Sequence, residues 1–341
     1  MAISNLLAGL AETTMKGRAT VSKLDPSIRG KIIFTYGGNN LGKTKNAVKF
    51  PNPVVIPLEK GMNGTQGALV LKTATYTDVK MHVRTLTTNP QWLKALEQEP
   101  ITIVIDGAEK LGLMCQRWLC QKYDVADISE GKGGYGLWGY YEKEIAGLVM
   151  DLTSQGYTIL FIGHRQADHK TGFITPKGDK RNIDPIIDVC DVVAYLTPNG
   201  VDENNQVIPS SAWLAETDQF FARSRFDYMD TYLEVFSAEN LIEAIREGIQ
   251  REIDATSGEA TDFAGQQEMY QSSVQMNHEE TINALAGQYD QLANVDRLDI
   301  WEDVVSRHLD GIPVSEAKPS QLENLHAIYN DLAEFLETAG A

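Results

Sequence analysis

Eight consecutive residues carry the clearest chemistry in the chain: Gly37, Gly38, Asn39, Asn40, Leu41, Gly42, Lys43 and Thr44. They satisfy the pattern G-x-x-x-x-G-K-[ST], in which glycines let successive backbone N–H groups curl around a polyphosphate. Lys43 is spaced to reach the β- and γ-phosphates, and the Thr44 hydroxyl to ligate Mg²⁺. An apolar run precedes the turn and a helix-compatible stretch, residues 43–50, follows it. The N-terminal dipole of such a helix favours an anion. A chance match in a chain of this length is roughly a one-in-a-hundred event. The pattern predicts ATP with Mg²⁺ as ligand and hydrolysis as the activity.

Three more polar residues close apolar runs. Asp106 ends the run 101–105, where a carboxylate can hold a Mg²⁺-bound water. Glu59 follows the run 54–58 and is placed to orient a water against the γ-phosphate. Glu109, near Asp106, could be mistaken for that group; Glu59 is the expected one. His164 closes the run 158–163, where a polar side chain can sense the γ-phosphate and relay its presence to the following loop.

The elements that must position these groups are legible in the hydrophobic pattern. Residues 31–36, 54–56, 101–106 and 158–163 are short runs rich in β-branched residues, which read as buried strands. Helix-period segments lie between them, such as 141–152 with Ile145, Leu148, Val149 and Leu152 on one face. Strands alternating with helices imply an α/β fold with a mostly parallel, covered sheet. Ligands of such sheets bind at the carboxyl ends of the strands. Gly37, Glu59, Asp106 and His164 all fall there, so four scattered residues become one expected site. Residues 189–196, 220–225 and 232–236 read as the last strands.

From residue 237 the pattern is helical, with Leu241, Ile245, Ile249 and Ile253 recurring every fourth position. Residues 258–273 are rich in Gly, Ser and Gln and read as a linker. Amphipathic helices are expected over 277–292 and 298–309. A last one opens at Ser320, with Glu323 spaced for a capping box and Leu322, Leu325, Ile328, Leu332 and Phe335 on one face. The division this predicts is an arm at 1–28, a core at 29–236, and an acidic helical C-terminal region at 237–341 with a linker near 255–275. The arm carries Leu6, Leu7 and Leu10, then Lys16, Arg18 and Lys23. There is no internal repeat.

Charge follows the same division. Of 47 acidic and 30 basic residues, 18 acids but only Arg297, Arg307 and Lys318 fall after residue 251, leaving 29 acids and 27 bases before it. The acidity belongs to the tail, and the nearly neutral front can hold a local basic face. Cys115, Cys120 and Cys190 are odd in number, sit in apolar text and fit no zinc spacing, so free thiols are expected. No apolar run approaches the ~20 residues of a membrane span, and residues 3–10 lack the basic flank of a signal peptide. The expected location is the cytoplasm, that of a host cell if the chain is phage-encoded.

The order of these features (P-loop, strand with Glu, strand with Asp, strand with a polar sensor) resembles that of RecA-type recombinases. In closer detail residues 33–44, 50–61, 103–106, 134–136, 161–164 and 221–225 resemble the phage RecA-like AAA-domain ATPases linked to single-strand annealing and recombination. The resemblance covers about residues 28–236 and implies a RecA-like P-loop NTPase core with Lys43, Glu59 and His164 in catalytic roles. The chain departs from the family at Pro57-Leu58, where an acidic residue is usual, and at Lys60, inserted between Glu59 and Gly61. By the same resemblance the loop after the sensor, 165–188, faces single-stranded DNA through Lys170, Phe173, Lys177, Lys180 and Arg181. Basic side chains there track phosphates, while an aromatic stacks on bases. The glycine-rich segment 131–138, with Tyr135 and Trp138, is a second candidate. Related recombinases set basic residues against a neighbouring subunit's ATP, a role that falls on Arg223 and Arg225 and implies a head-to-tail homo-oligomer. The alternative reading is an ATP-switched helicase loader or replication adaptor, with the acidic tail as the docking module for a replication or recombination partner.

Overall fold

The computed structural model describes residues 7, 9–11, 19–256, 258–270 and 276–339. Of the expected arm, Leu6, Lys16 and Arg18 lie outside the described residues. The chain forms two units, Val21–Met269 and a helical C-terminal unit from Tyr270 onward.

The first unit is built on ten strands: β1 (Ile32–Gly37), β2 (Pro53–Pro57), β3 (Leu69–Val70), β4 (Thr102–Asp106), β5 (Thr158–Ala167), β6 (Ile174–Pro176), β7 (Val192–Thr197), β8 (Ser211–Trp213), β9 (Arg223–Ser224) and β10 (Tyr232–Leu233). Its helices are α1 (Lys43–Ala47), α2 (Tyr76–Thr88), α3 (Pro90–Gln98), α4 (Ala108–Tyr123), α5 (Trp138–Thr153), α6 (Lys180–Val189), α7 (Ala238–Thr256) and α8 (Phe263–Glu268). The sheet runs β10-β8-β7-β1-β5-β4-β2-β3, with β6 beside β5 and β9 beside β7. Strands β7, β1, β5, β4, β2 and β3 are mutually parallel, and β6, β8, β9 and β10 pair antiparallel. The expected α/β fold with a mostly parallel sheet is therefore what forms.

Residues of alternating parity along each strand go to opposite faces, and both faces are covered. Phe34, Ile56, Ile103, Ile105, Phe161 and Tyr195 pack with Leu86, Leu111, Ile145 and Ile186 from α2, α4, α5 and α6. Ile33, Val55, Val104, Leu160, Val192 and Ala194 pack on the other side with Ala47 of α1 and with Leu241, Ile245, Ile249 and Ile253 of α7. Each of those four α7 side chains contributes about 2 kcal/mol on burial. That is why α7, grouped by the sequence pattern with the tail, belongs to the first unit.

The stretch expected to be a linker is partly docked. Arg29 stacks on Phe263 of α8 at 3.9 Å, Lys31 donates to Gln266, and Thr261 N–H donates to Leu24 O; residues 271–273 lie outside the described ones. The strands expected over 220–225 and 232–236 shrink to the two-residue β9 and β10, with Phe220 adding a single bridge to Ile174. Gly112 of α4 lies flat against α6: a Cβ there would meet Asn182 at 2.9 Å, and Asn182 Nδ2 donates to Ala108 O at 2.9 Å.

The C-terminal unit consists of α9 (His278–Asn294), α10 (Leu298–Leu309) and α11 (Leu322–Ala339). They close on a core of Leu285, Leu292, Val304, Leu309, Leu325, Ile328 and Leu332. The cap expected at Ser320 forms instead two residues earlier: residues 319–321 make a 3₁₀ turn, and Lys318 N–H donates to Gln321 Oε1. Among the described residues all three cysteines are free, and no helix is long and apolar enough to cross a membrane.

Candidate nucleotide site

The P-loop joins β1 to α1. Asn40 and Gly42 take left-handed conformations, φ 61° and 75°, and so curl the chain before Lys43. Leu41 O accepts from Ser210 Oγ at 2.9 Å, which braces the turn from the side. Gly38 is half-buried while Asn39 and Asn40 are exposed on its rim. Helix α1 has only five residues rather than the eight expected, ending where Lys49 and Phe50 bond back in tight turns. A helix so short adds little dipole, so the anion-attracting groups here are the local N–H donors and Lys43. The Lys43 ammonium donates to Gly38 O at 2.5 Å. Burial pulls its pKa down, against the opposing pull of Asp106, Glu109 and Glu59.

Strand β5 lies between β1 and β4, with His164 level with Gly37 and Ile162 level with Asp106. This brings the other groups to the carboxyl edge beside the P-loop. Thr44 Oγ1 donates to Asp106 Oδ2 at 3.1 Å. Asp106 is fully buried, and burial pushes its pKa up to about 6, offset in part by the Thr44 hydrogen bond. Its Oδ1 has no hydrogen-bond partner. A buried carboxylate with an unused oxygen, touching the threonine of a P-loop, is the donor set a hard divalent cation takes, so these residues fit Mg²⁺.

Glu59 stands at the end of β2 as expected, and the residues around it explain the Glu-Lys-Gly order. A Cβ on Gly61 would sit 2.9 Å from Asp106 Oδ2, and one on Gly107 (φ 98°) 3.2 Å from Glu59 Cγ. Two glycines thus let the β2 and β4 ends close on each other. Glu59, Glu109 and His164 offer ligand-type atoms that all lie within 4.8 Å of one another. The sequence pattern undervalued Glu109. It is buried on the first turn of α4, and its Oε1 is 2.5 Å from His164 Nδ1. Its spacing of three from Asp106 was the available signal.

The segment expected as a loop after His164 has two ordered parts. Residues 165–167 and 174–176 pair as a hairpin, and Asp168 accepts N–H bonds from Lys170 and Thr171 across its turn. Helix α6 follows, with Asp179 capping the Arg181 N–H at 2.8 Å. Strands of three residues carry no periodic signal, and the glycines and charges around them masked the helix start. Lys170, Lys177, Lys180 and Arg181 are all exposed, whereas Phe173 is half-buried. The Arg181 guanidinium lies 5.0 Å over Trp138, which links this segment to 131–138, where Tyr135 is 89% exposed.

Arg223 and Arg225 sit elsewhere. Ser224 and Arg223 pair with Val192 and Val193, level with Ile33 and Phe34 at the amino end of β1. Arg223 Nη2 donates to Ile187 O at 2.8 Å and Cys190 O at 2.9 Å, closing the carboxyl end of α6. Arg225 is half-exposed and pairs with Asp191 at 3.5 Å. Within one chain, neither reaches the P-loop edge.

The fold and this site define a P-loop nucleotide-binding protein. The chain belongs to the AAA domain family, whose model matches residues 29–226. It is 38% identical over 317 residues to the SPbeta prophage-derived uncharacterized protein YorG of Bacillus subtilis strain 168, covering 93% of this chain and 97% of that one. A solved ATPase from the type III secretion system of pathogenic bacteria matches at a TM-score of 0.38 and 11% identity, over 88% of this chain and 80% of that one. A similarity that distant carries no weight for fold or function.

Proposed function

We propose that the chain is a phage-type, RecA-like ATPase that binds single-stranded DNA in recombination or annealing. The observation that carries the ATPase part is the convergence of Lys43, Thr44, Asp106, Glu59 and His164 on one sheet edge. Lys43 binds the β- and γ-phosphates, Thr44 and Asp106 hold the cation, and Glu59 orients a water for in-line attack. Mg²⁺, when bound, supplies neutralisation of phosphate charge. The prophage origin of the 38%-identical relative supports the phage reading.

The DNA part is supported by the exposed bases Lys170, Lys177, Lys180 and Arg181, and by the exposed Tyr135 in the segment that Arg181 meets at Trp138. Tyr135, rather than the half-buried Phe173, is the better stacking surface. Fluorescence anisotropy with a labelled oligonucleotide tests this part. Replacing Lys177, Lys180 and Arg181 by Ala is expected to weaken binding and to flatten the salt dependence by about 2 in log–log slope. Undetectable binding at low salt, with and without ATP, rejects the recombination role. It would favour the helicase-loader or adaptor reading, which the separate core of the acidic C-terminal unit supports. In a head-to-tail homo-oligomer the more exposed Arg225 would be the arginine to approach a neighbour's nucleotide, exchanging Asp191 and Asp188 O for it.

A further inference from the structure

The proposed mechanism leaves Glu109 without a task, yet its side chain is only 6% exposed. Oε2 has no hydrogen-bond partner, and Oε1 meets only His164 Nδ1, at 2.5 Å. A carboxylate so deeply buried with so few partners is costly to keep. Two ligands of one tetrahedral ion stand roughly 3 Å or more apart. At 2.5 Å the two make a hydrogen bond instead, and since a carboxylate only accepts, the tautomer that fits it carries the proton on Nδ1. In the neutral ring Nε2 is then a bare acceptor, unable to donate to a phosphate. Ligand-type atoms of Glu59, Glu109 and His164 all lie within 4.8 Å of one another, close enough for one water to bond to more than one of these side chains.

We propose that Glu109 is a positioning residue that fixes the His164 tautomer, and that His164 Nε2 takes the proton of the water Glu59 orients. The inference rests on the ATPase reading above. In the step, the water oxygen bonds to the γ-phosphorus, and the bond to the β–γ bridging oxygen breaks with its electron pair leaving on ADP. One water proton passes to Nε2, and the buried Glu109 carboxylate stabilises the imidazolium until that proton is released to solvent. Glu109 itself touches neither water nor nucleotide.

Two measurements test this. Ring ¹⁵N spectra of the wild-type protein, assigned with His164→Gln, are expected to show His164 protonated at Nδ1; an Nε2–H tautomer overturns the proposal without any Glu109 variant. In steady-state kinetics Glu109→Leu is expected to lower kcat about tenfold or more, with affinity for a fluorescent ATP analogue unchanged, while Glu109→Gln, which keeps an acceptor, recovers most of it. Because the two residues act as a unit, Glu109→Leu combined with His164→Gln should be no slower than His164→Gln alone. A Glu109→Leu enzyme with wild-type kcat, or a double variant in which the two losses multiply, overturns the proposal. If the wild type hydrolyses ATP and Lys43→Ala does not, such a result removes only this inference; if the wild type hydrolyses nothing, the ATPase reading itself falls.

Discussion

The two ends of the central sheet treat their carboxylates in opposite ways. At the amino end Asp191 accepts the Ile32 N–H at 2.8 Å and pairs with Arg225, Lys31 donates to Gln266, and Arg223 caps the α6 carbonyls, although Arg29 Nε and Arg223 Nε are left over. At the carboxyl end Lys43, Asp106 and Glu109 are buried, and the carboxylate oxygens Asp106 Oδ1 and Glu109 Oε2 are left without partners. Stability alone would favour the first arrangement at both ends, since an unmatched buried polar atom costs about 1–3 kcal/mol. The contrast teaches where the molecule is built to receive something from outside, and it separates structural arginines from functional ones.

The largest effect should come from Lys43→Ala, which removes the buried ammonium group of the P-loop. Turnover in an ATPase assay is expected to fall by about a hundredfold or more, with folding intact. Unchanged activity would place the chemistry elsewhere.

Asp106→Asn sharpens the contrast by separating binding from stability. Because burial raises the folded-state pKa to about 6, the nucleotide-free protein loses stability as pH rises from the unfolded carboxylate's range through that value. By pH 7 the charged carboxylate costs about 3 kcal/mol. The variant should therefore melt several degrees higher at pH 7 without ligand, yet lose the stabilisation that Mg²⁺–ATP gives the wild type. Calorimetry with and without Mg²⁺–ATP reads both.

Arg223→Ala works at the closed end. It should cost about 1–3 kcal/mol of stability by baring the α6 carbonyls, while nucleotide affinity in dilute solution stays unchanged. A loss of ATPase activity larger than the loss of folded protein would break the distinction between the ends. The smallest effect is expected from deleting residues 270–341. The first unit keeps its whole core, so ATPase activity should stay within about twofold; a rise in DNA affinity would show that tail acidity competes for the basic segment.

Much of the carboxyl end could be read from the chain alone, because β-branched runs ending in Gly37, Glu59, Asp106 and His164 report both strand and strand end. Such signals are local. The closed end could not be read, because Arg223 acquires its partners from residues 187–190, more than thirty positions away, and the same Arg-Ser-Arg text suits a surface or a subunit contact. Glu109 was legible as a neighbour of Asp106 but not as a partner of His164, since only the adjacency of β4 and β5 brings them together. Helix α7 was seen as a helix and put with the wrong neighbours, because an apolar stripe specifies that a face is buried and not against what. The hairpin at 165–176 was hidden by its brevity.

The contact of Gly112 with Asn182 carries one last implication. Because Gly112 has no side chain of its own, that of Asn182 lies directly on the helix that begins beside Asp106, so this helix and the one that begins with Lys180 and Arg181 cross closely. In so close-packed a crossing, a tilt of the former would press first on Asn182 and so reach the latter.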